Sequence, residues 1–534
     1  MKGYNSFGVM IDMSRNSAMT VDALKSYLTL IKKFGYDTVM LYTEDTYEVS
    51  EVPHFGYMRA RYSKDELREL DSFCASIGIE LIPCIQTLAH LNAFIRWGKT
   101  PVDIDDILLA DDERTYKLIE SFIKTCRECF TSKRIHIGMD EAWKLGRGRH
   151  LNEHGYESAN DIIKRHLSRV LDICKSYGFS PMIWSDMFIR SWNNNQYYIK
   201  DCKVPEEIKE AIPSEVGCVF WDYYHTDESV YDDMLSIHKQ MSKDIWFAGG
   251  VWTWSGVVPH NTFSLETMLP AMRSVRKHRI KNVFFTMWGD DGGECSRFSV
   301  LPALFYLAQY AKGNEDDEDI KRRFMRTVGL SFDDFMKLDL PNRLTDNPGR
   351  ANPSKYMLYS DPFLGFLDYT VSYEHGEKYE RIAKELDAVR KKSRKYANLF
   401  DTEARLCEVL SVKYSLGKRT REAYKAGDRA ELMRLANEDY ATLPRLYKAF
   451  YKSYKRQWMA ENKSVGFDIQ DLRLGGIIGR IEGCRQMLLD YLSGKLDKID
   501  DLEFEVLPYG NAGEGMPIAL NGARNYLSTN VQSI

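Results

Sequence analysis

The 534-residue sequence has no run of 18 or more apolar residues, so no helical membrane span is expected. It carries no excess of charge. Its 73 Lys+Arg against 77 Asp+Glu leave a formal net charge of −4, which gives no electrostatic footprint for nucleic acid. No GxGxxG turn follows an early strand, and neither an Asp-x-Asp-x-Asp-Gly loop nor a His-Glu-x-x-His pair occurs. No cofactor and no metal are therefore expected. Asp12 interrupts the amino-terminal apolar stretch before a leader core is reached, and the sequence reads as that of a cytoplasmic protein. Ten Cys are scattered. Cys126-Arg127-Glu128-Cys129 has the spacing of a metal or redox pair, but it lies in a helical stretch and no second CxxC follows. These residues read as small buried hydrophobes in a reducing compartment.

What is present is an alternation of short apolar runs with longer amphipathic ones. The short runs are 7–12, 37–42, 79–86, 134–138, 181–185, 216–221, 245–250 and 282–287; rich in Val, Ile and aromatics, they predict strands. Helical spacing occupies 21–34, 64–77, 113–130, 159–177, 265–278 and 302–311. Such alternation implies a parallel sheet, because each parallel connection needs a crossover. Without a glycine-rich phosphate turn, a closed (β/α)8 barrel, the TIM barrel, fits better than a doubly wound sheet. The expected architecture is α/β: a barrel over residues 1–315, then a mainly α-helical region over 316–534. Within the latter, helices are expected near 374–397, 403–414, 430–435 and 472–492. Turns are expected at Asn347-Pro348-Gly349 and Asn352-Pro353, with a strand-like 502–507 and a glycine-rich tail at the end.

In a barrel of this kind, chemistry gathers at the carboxyl ends of the strands. The fourth strand runs into His136-Ile137-Gly138-Met139-Asp140-Glu141. Continued alternation would put His136, Gly138 and Asp140 on one side. Two adjacent carboxyls among apolar neighbours resist being ionised together, so one can keep a proton as a general acid must. The competing reading is that Asp140 and Glu141 only cap the next helix. Five tryptophans, Trp184, Trp221, Trp252, Trp254 and Trp288, stand at or just after strand ends beside Asp186, Asp222 and Asp290. Aromatic walls with acidic hooks suit a sugar ring.

The hexapeptide from His136 to Glu141 resembles the His-x-Gly-Gly-Asp-Glu signature of glycoside hydrolase family 20, the β-N-acetylhexosaminidases. Glu44-Asp45 stands where that family carries an acidic pair, Leu88-Ala89-His90 where it has Pro-Gly-His, and Trp288-Gly289-Asp290 where it has Trp-x-Glu. The likeness spans about residues 7–310. It points to a compact subgroup without a leading α/β domain, the hexosaminidase D-like enzymes.

The resemblance implies an exo-acting, retaining hydrolysis in which the substrate's own 2-acetamido group is the nucleophile. Glu141 would be the acid and base, and Asp140 would orient the acetamide. Trp184, Trp254 and Trp288 would form walls, Tyr223 would hold the acetamide oxygen, and Asp290, Glu44 and His90 would bind the sugar. His136 and Asp45 would support them. The family arginine at the start of the first strand is replaced by Phe7, leaving Arg15, Arg59 or Arg61 to substitute. The expected partner is a glycan or glycoconjugate ending in an N-acetylhexosamine, with neither nucleic acid nor membrane; a homodimer is compatible. Two other readings stay open: a two-carboxylate barrel glycosidase pairing Glu141 with Asp186 or Asp290, and a sugar-binding barrel without catalysis.

Overall fold

A computed structural model describes residues 3–346, 348–510, 512–520 and 522. Eight parallel strands close into a barrel. They are β1 (Ser6–Asp12), β2 (Thr38–Thr43), β3 (Glu80–Ile85), β4 (Arg134–His136), β5 (Ser180–Trp184), β6 (Gly217–Trp221), β7 (Ile245–Gly250) and β8 (Asn282–Met287). Each pairs with its sequence neighbours, and β8 returns to β1. The strands are buried on both faces, so they read as continuous apolar runs. The eight-strand barrel expected from the alternation is the one observed.

The helices start where side chains answer their free N–H groups. Thr20 accepts from Ala23, Ser63 and Glu66 form a reciprocal capping box, and Asp112 and Ser158 cap the next two long helices. At the β1–β2 seam Gly8 faces Thr38, and a Cβ at Gly8 would lie 2.5 Å from the Thr38 carbonyl oxygen. The barrel closes there because that side chain is missing.

Contacts divide the chain into two compact units. The first comprises Met1–Val251, Ser264–Met287 and Ala303–Glu315; the second comprises Trp252–Phe263, Trp288–Pro302 and Asp316–Ile534. The second unit is helical. Glu374–Lys392 packs on Ala397–Lys413, which packs on Asp439–Glu461, and that helix packs on Asp468–Leu492. The chain turns at Pro348-Gly349, with Asn347 outside the described residues, and Pro353 opens a short helix, Pro353–Tyr359.

One element was not expected and one expectation needs correction. A two-stranded hairpin, Val102–Ile104 with Ile107–Leu108, lies between the short helix Asn92–Ile95 and the long helix Glu113–Cys129; its strands are too short to show a period. The segment 502–507 is not a strand: Asp500–Glu503 is helical, and 504–507 has no regular structure. Alternation makes a strand only beside a partner edge; here the Leu502 and Phe504 carbonyls accept from Arg421 instead. Among the described residues, no helix is long and apolar enough to cross a membrane.

Gly8→Ala is expected to cost about 1–3 kcal/mol through overpacking, read as a lower midpoint in thermal unfolding. An unchanged midpoint would mean that the β1–β2 seam can open without cost.

Candidate active site

The strand proper of β4 ends at His136, earlier than alternation through Asp140 required. Beyond it the backbone turns through left-handed conformations at Gly138 (φ 73°), Met139 (φ 71°) and Glu141 (φ 51°). A Cβ on Gly138 would sit 2.1 Å from Gln86 Oε1, so glycine is what lets Gln86 reach the turn. Gln86 Oε1 accepts from Met139 N, and its amide nitrogen donates to Asp140 Oδ1 at 2.8 Å and to the Tyr42 hydroxyl at 3.0 Å. The direction of the doublet is therefore set by this turn rather than by strand alternation. No helix starts at the doublet, since the next one, Arg149–His154, has Gly148 at its amino-terminal cap. The capping reading of Asp140 and Glu141 is thereby excluded.

Asp140 is buried, and its other oxygen lies 3.2 Å from His90 Nε2, which is also 3.8 Å from Glu141 Oε2. Burial alone would protonate Asp140, but the His90 charge and the hydrogen bond from Gln86 outweigh it and hold the carboxyl below its usual range. Burial in turn disfavours the His90 cation; Asp140 and then Glu44 overcome that and push it up to about 10. His90 itself has a left-handed backbone (φ 59°), and its N–H donates to Asp106 in the hairpin. Glu44 is buried, accepts from the Tyr42 hydroxyl at 3.2 Å and pairs with Arg15 at 2.8 Å. Its carboxyl is raised by burial, with Arg15 and His90 opposing. Arg15, Glu44, His90 and Asp140 thus alternate in charge.

Glu141 differs from its neighbour: its side chain is 40% exposed. Its N–H donates to Asp186 Oδ2 at 3.0 Å. Asp186 lies fully buried just after β5. Burial, and next the charge of Asp140, push its carboxyl up to about 7. Trp184, buried at the end of β5, packs its ring 4.6 Å from His136. At the end of β6 a stack of aromatic rings forms: Tyr197 on Trp221 at 4.7 Å, and Trp221 on Tyr223 at 5.4 Å.

Two family models match. "Glycosyl hydrolase family 20, catalytic domain" covers residues 6–228, and "Glycoside Hydrolase 20C C-terminal domain" covers residues 333–519. The chain belongs to glycoside hydrolase family 20. Among curated relatives, Hexosaminidase D of Bos taurus is 21% identical over 338 residues, covering 58% of this chain and 92% of that one. Hexosaminidase D of Homo sapiens is 21% identical over 343 residues, covering 58% and 66%. Among solved structures, a family 20 exo β-N-acetylglucosaminidase from Vibrio harveyi, in complex with N-acetylglucosamine, is 16% identical with a TM-score of 0.46; the match covers 63% of this chain and 58% of that one.

Phe7, where an arginine was expected, is a core residue stacked on Tyr36 and edge-on to Phe285. Of the three candidate substitutes, Arg15 joins the acidic cluster through Glu44. Arg59 pairs with buried Asp45 at 3.2 Å, and Arg61 donates to the Phe55 carbonyl. Asp45 thus braces the loop after β2. His136 is a fully buried strut whose Nδ1 accepts from Gly138 N, and burial pushes it down to about 3. It stays neutral and supports the turn.

Trp254, Trp288 and Asp290 fall in the second unit. There, Trp254 stacks on Trp252 at 4.2 Å, and Thr253 donates to the half-buried Trp288's carbonyl. Asp290 is exposed. Gln86, Tyr42, Asp103 and Asp106 escaped the sequence reading. Asp103 accepts from Gly146 N and His150 N and so ties down the excursion after Glu141. A polar residue directly after the apolar run Leu81–Ile85 was the available signal for Gln86.

A carboxyl raised on folding adds stability that is full below the ordinary carboxylate range and is lost as pH rises toward its folded value. Asp186→Asn keeps an oxygen to accept the Glu141 N–H but cannot ionise. The wild-type midpoint should therefore fall relative to the variant's between about pH 4 and pH 8, with most of the gap open by neutrality. Parallel profiles would show that folding leaves the Asp186 carboxyl unshifted.

Proposed function

We propose that the protein is an exo-β-N-acetylhexosaminidase that removes terminal β-linked N-acetylglucosamine or N-acetylgalactosamine with retention of configuration. The reading rests on one observation: of two adjacent carboxyls, one is buried and held ionised by an imidazolium and an amide, while the other is open to solvent. Substrate-assisted hydrolysis needs the first ionised beside the acetamide and the second within reach of the glycosidic oxygen.

Glu141 gives its proton to the glycosidic oxygen as the bond to the anomeric carbon breaks. The acetamido oxygen closes on that carbon, forming an oxazolinium ring. Asp140, ionised, accepts the acetamido N–H and favours the positive charge that builds there. Water then attacks the anomeric carbon, Glu141 takes its proton, and the ring reopens to the acetamide. Trp184 serves as the floor beneath the sugar, Tyr223 binds the acetamide oxygen, and Arg15 with Glu44 grips the outer hydroxyls. Asp186 does not fit the role of a second catalytic carboxyl, because it is fully buried and occupied with the Glu141 backbone.

Glu141→Gln is expected to lower kcat on an alkyl N-acetyl-β-glucosaminide by about 10²–10⁴. Asp140→Asn should fall comparably, since its amide offers the acetamido N–H neither the charge nor the same acceptor. A β-glucoside without the acetamido group should be inert. Wild-type rates in both variants, or comparable cleavage of the plain glucoside, would overturn the assignment.

A further inference from the structure

Two residues past the acid, the indole of Trp143 is 52% exposed. A single exposed aromatic is ordinary on a protein surface; this one is held in place. Its backbone N–H donates to the Glu141 carbonyl at 2.7 Å, so the two residues share one tight turn. The Arg190 guanidinium lies 4.6 Å from the indole on one side and 5.5 Å from Tyr197 on another. Tyr197 is itself fixed through its hydroxyl, which accepts from Trp221 N and shares a hydrogen bond with Ser185 Oγ. Arg190 also lies 4.0 Å from Asp186, the acceptor of the Glu141 N–H. The ring is therefore packed against a guanidinium on one side while about half of its surface stays open, and that guanidinium also approaches the carboxyl that holds the acid's backbone.

General-acid catalysis says what could use that surface. The proton from Glu141 goes to the glycosidic oxygen, which leaves with the departing group. The first ring of that group must then lie on the open side of the Glu141 carboxyl. A β-linked pyranose presents a face of C–H bonds that complements an indole, and an immobilised ring costs little ordering entropy on binding.

We propose that Trp143 is the platform of a leaving-group subsite, stacking the first sugar ring beyond the scissile bond. The proposal rests on Glu141 being the acid. It makes the enzyme selective for glycosides whose aglycone is itself a sugar.

The test compares a disaccharide, N-acetylglucosamine β-linked to a second sugar, with methyl N-acetyl-β-glucosaminide, whose aglycone has no ring. Trp143→Ala should lose about tenfold in kcat/KM on the disaccharide, equivalent to ~1.4 kcal/mol, chiefly through KM. On the methyl glycoside the change should stay within about twofold. Trp143→Phe, which keeps an aromatic face, should recover most of the loss. Tyr156→Ala serves as a control on the same excursion: this 72% exposed ring also lies against an arginine, Arg147, and its loss should leave both substrates unaffected. Equal losses on the two substrates would mean that Trp143 only positions Glu141, and no loss on either would mean that it binds nothing; each overturns the proposal. Failure of the underlying reading looks different: the wild type would hydrolyse neither substrate, or Glu141→Gln would keep the wild-type rate on both.

Discussion

A carboxylate shut away from water stays charged only if something charged or strongly polar answers it. Asp140 is answered by His90 on one oxygen and Gln86 on the other. Each answering group has to be held in turn. His90 is a cation only because Asp140 and Glu44 surround it, and its backbone keeps a left-handed bend with the help of Asp106. Gln86 reaches Asp140 only because residue 138 has no side chain. Arg15 then balances Glu44. Removing one charge from this alternation leaves its neighbours uncompensated, so the site behaves as a single electrostatic object rather than as a doublet with accessories.

The backbone carries the other part of the cost. Met139, Glu141 and His90 are non-glycine residues in left-handed conformations, each costing on the order of 1–3 kcal/mol unless its surroundings fix it. They are fixed by named partners: Gln86 for Met139, Asp186 for Glu141, Asp106 for His90. What this strain achieves is divergence. Consecutive strand residues would send their side chains to opposite faces of the sheet; the turn instead buries one carboxyl and leaves the next one open beside it. An acid that must protonate a leaving group and a carboxylate that must not be protonated can then stand side by side.

These facts set what could be read from the sequence. The eight strands were legible because they are short, continuously apolar and separated by capped amphipathic helices. Asp140 and Glu141 were legible because they are contiguous. Gln86, Asp103 and Asp106 were not: Gln86 reaches the Asp140 side chain from the end of another strand, Asp103 and Asp106 act on backbone groups across turns, and no spacing rule links residue 86 to residue 140 or residue 103 to residue 146. Tyr42 was hidden inside an apolar strand. Alternation misled twice: at residues 137–141, where a left-handed turn replaces the pleat, and at 502–507, where no partner edge is paired with it. In both places the side-chain pattern was real, but the hydrogen bonding of the backbone decided the structure.

The residues after β7 and β8 extend the same reasoning to the second unit. Asp291 and Glu294 are paired there with Lys355 and Arg473, and the Tyr359 hydroxyl donates to Glu294. Asn352 donates to the Ser255 carbonyl. Glu294 and Lys355 are both buried, and breaking a buried pair by deleting one partner costs about 3–5 kcal/mol because the survivor is left uncompensated. The segments that carry Trp254, Trp288 and Asp290 therefore take their conformation from residues between 352 and 473. A chain cut at residue 316 would retain all eight strands and the Asp140–Glu141 turn, yet it would strand Glu294 and Asp291 without their cations. Within the second unit, the C-terminal helices are part of what shapes the segments 252–263 and 288–302.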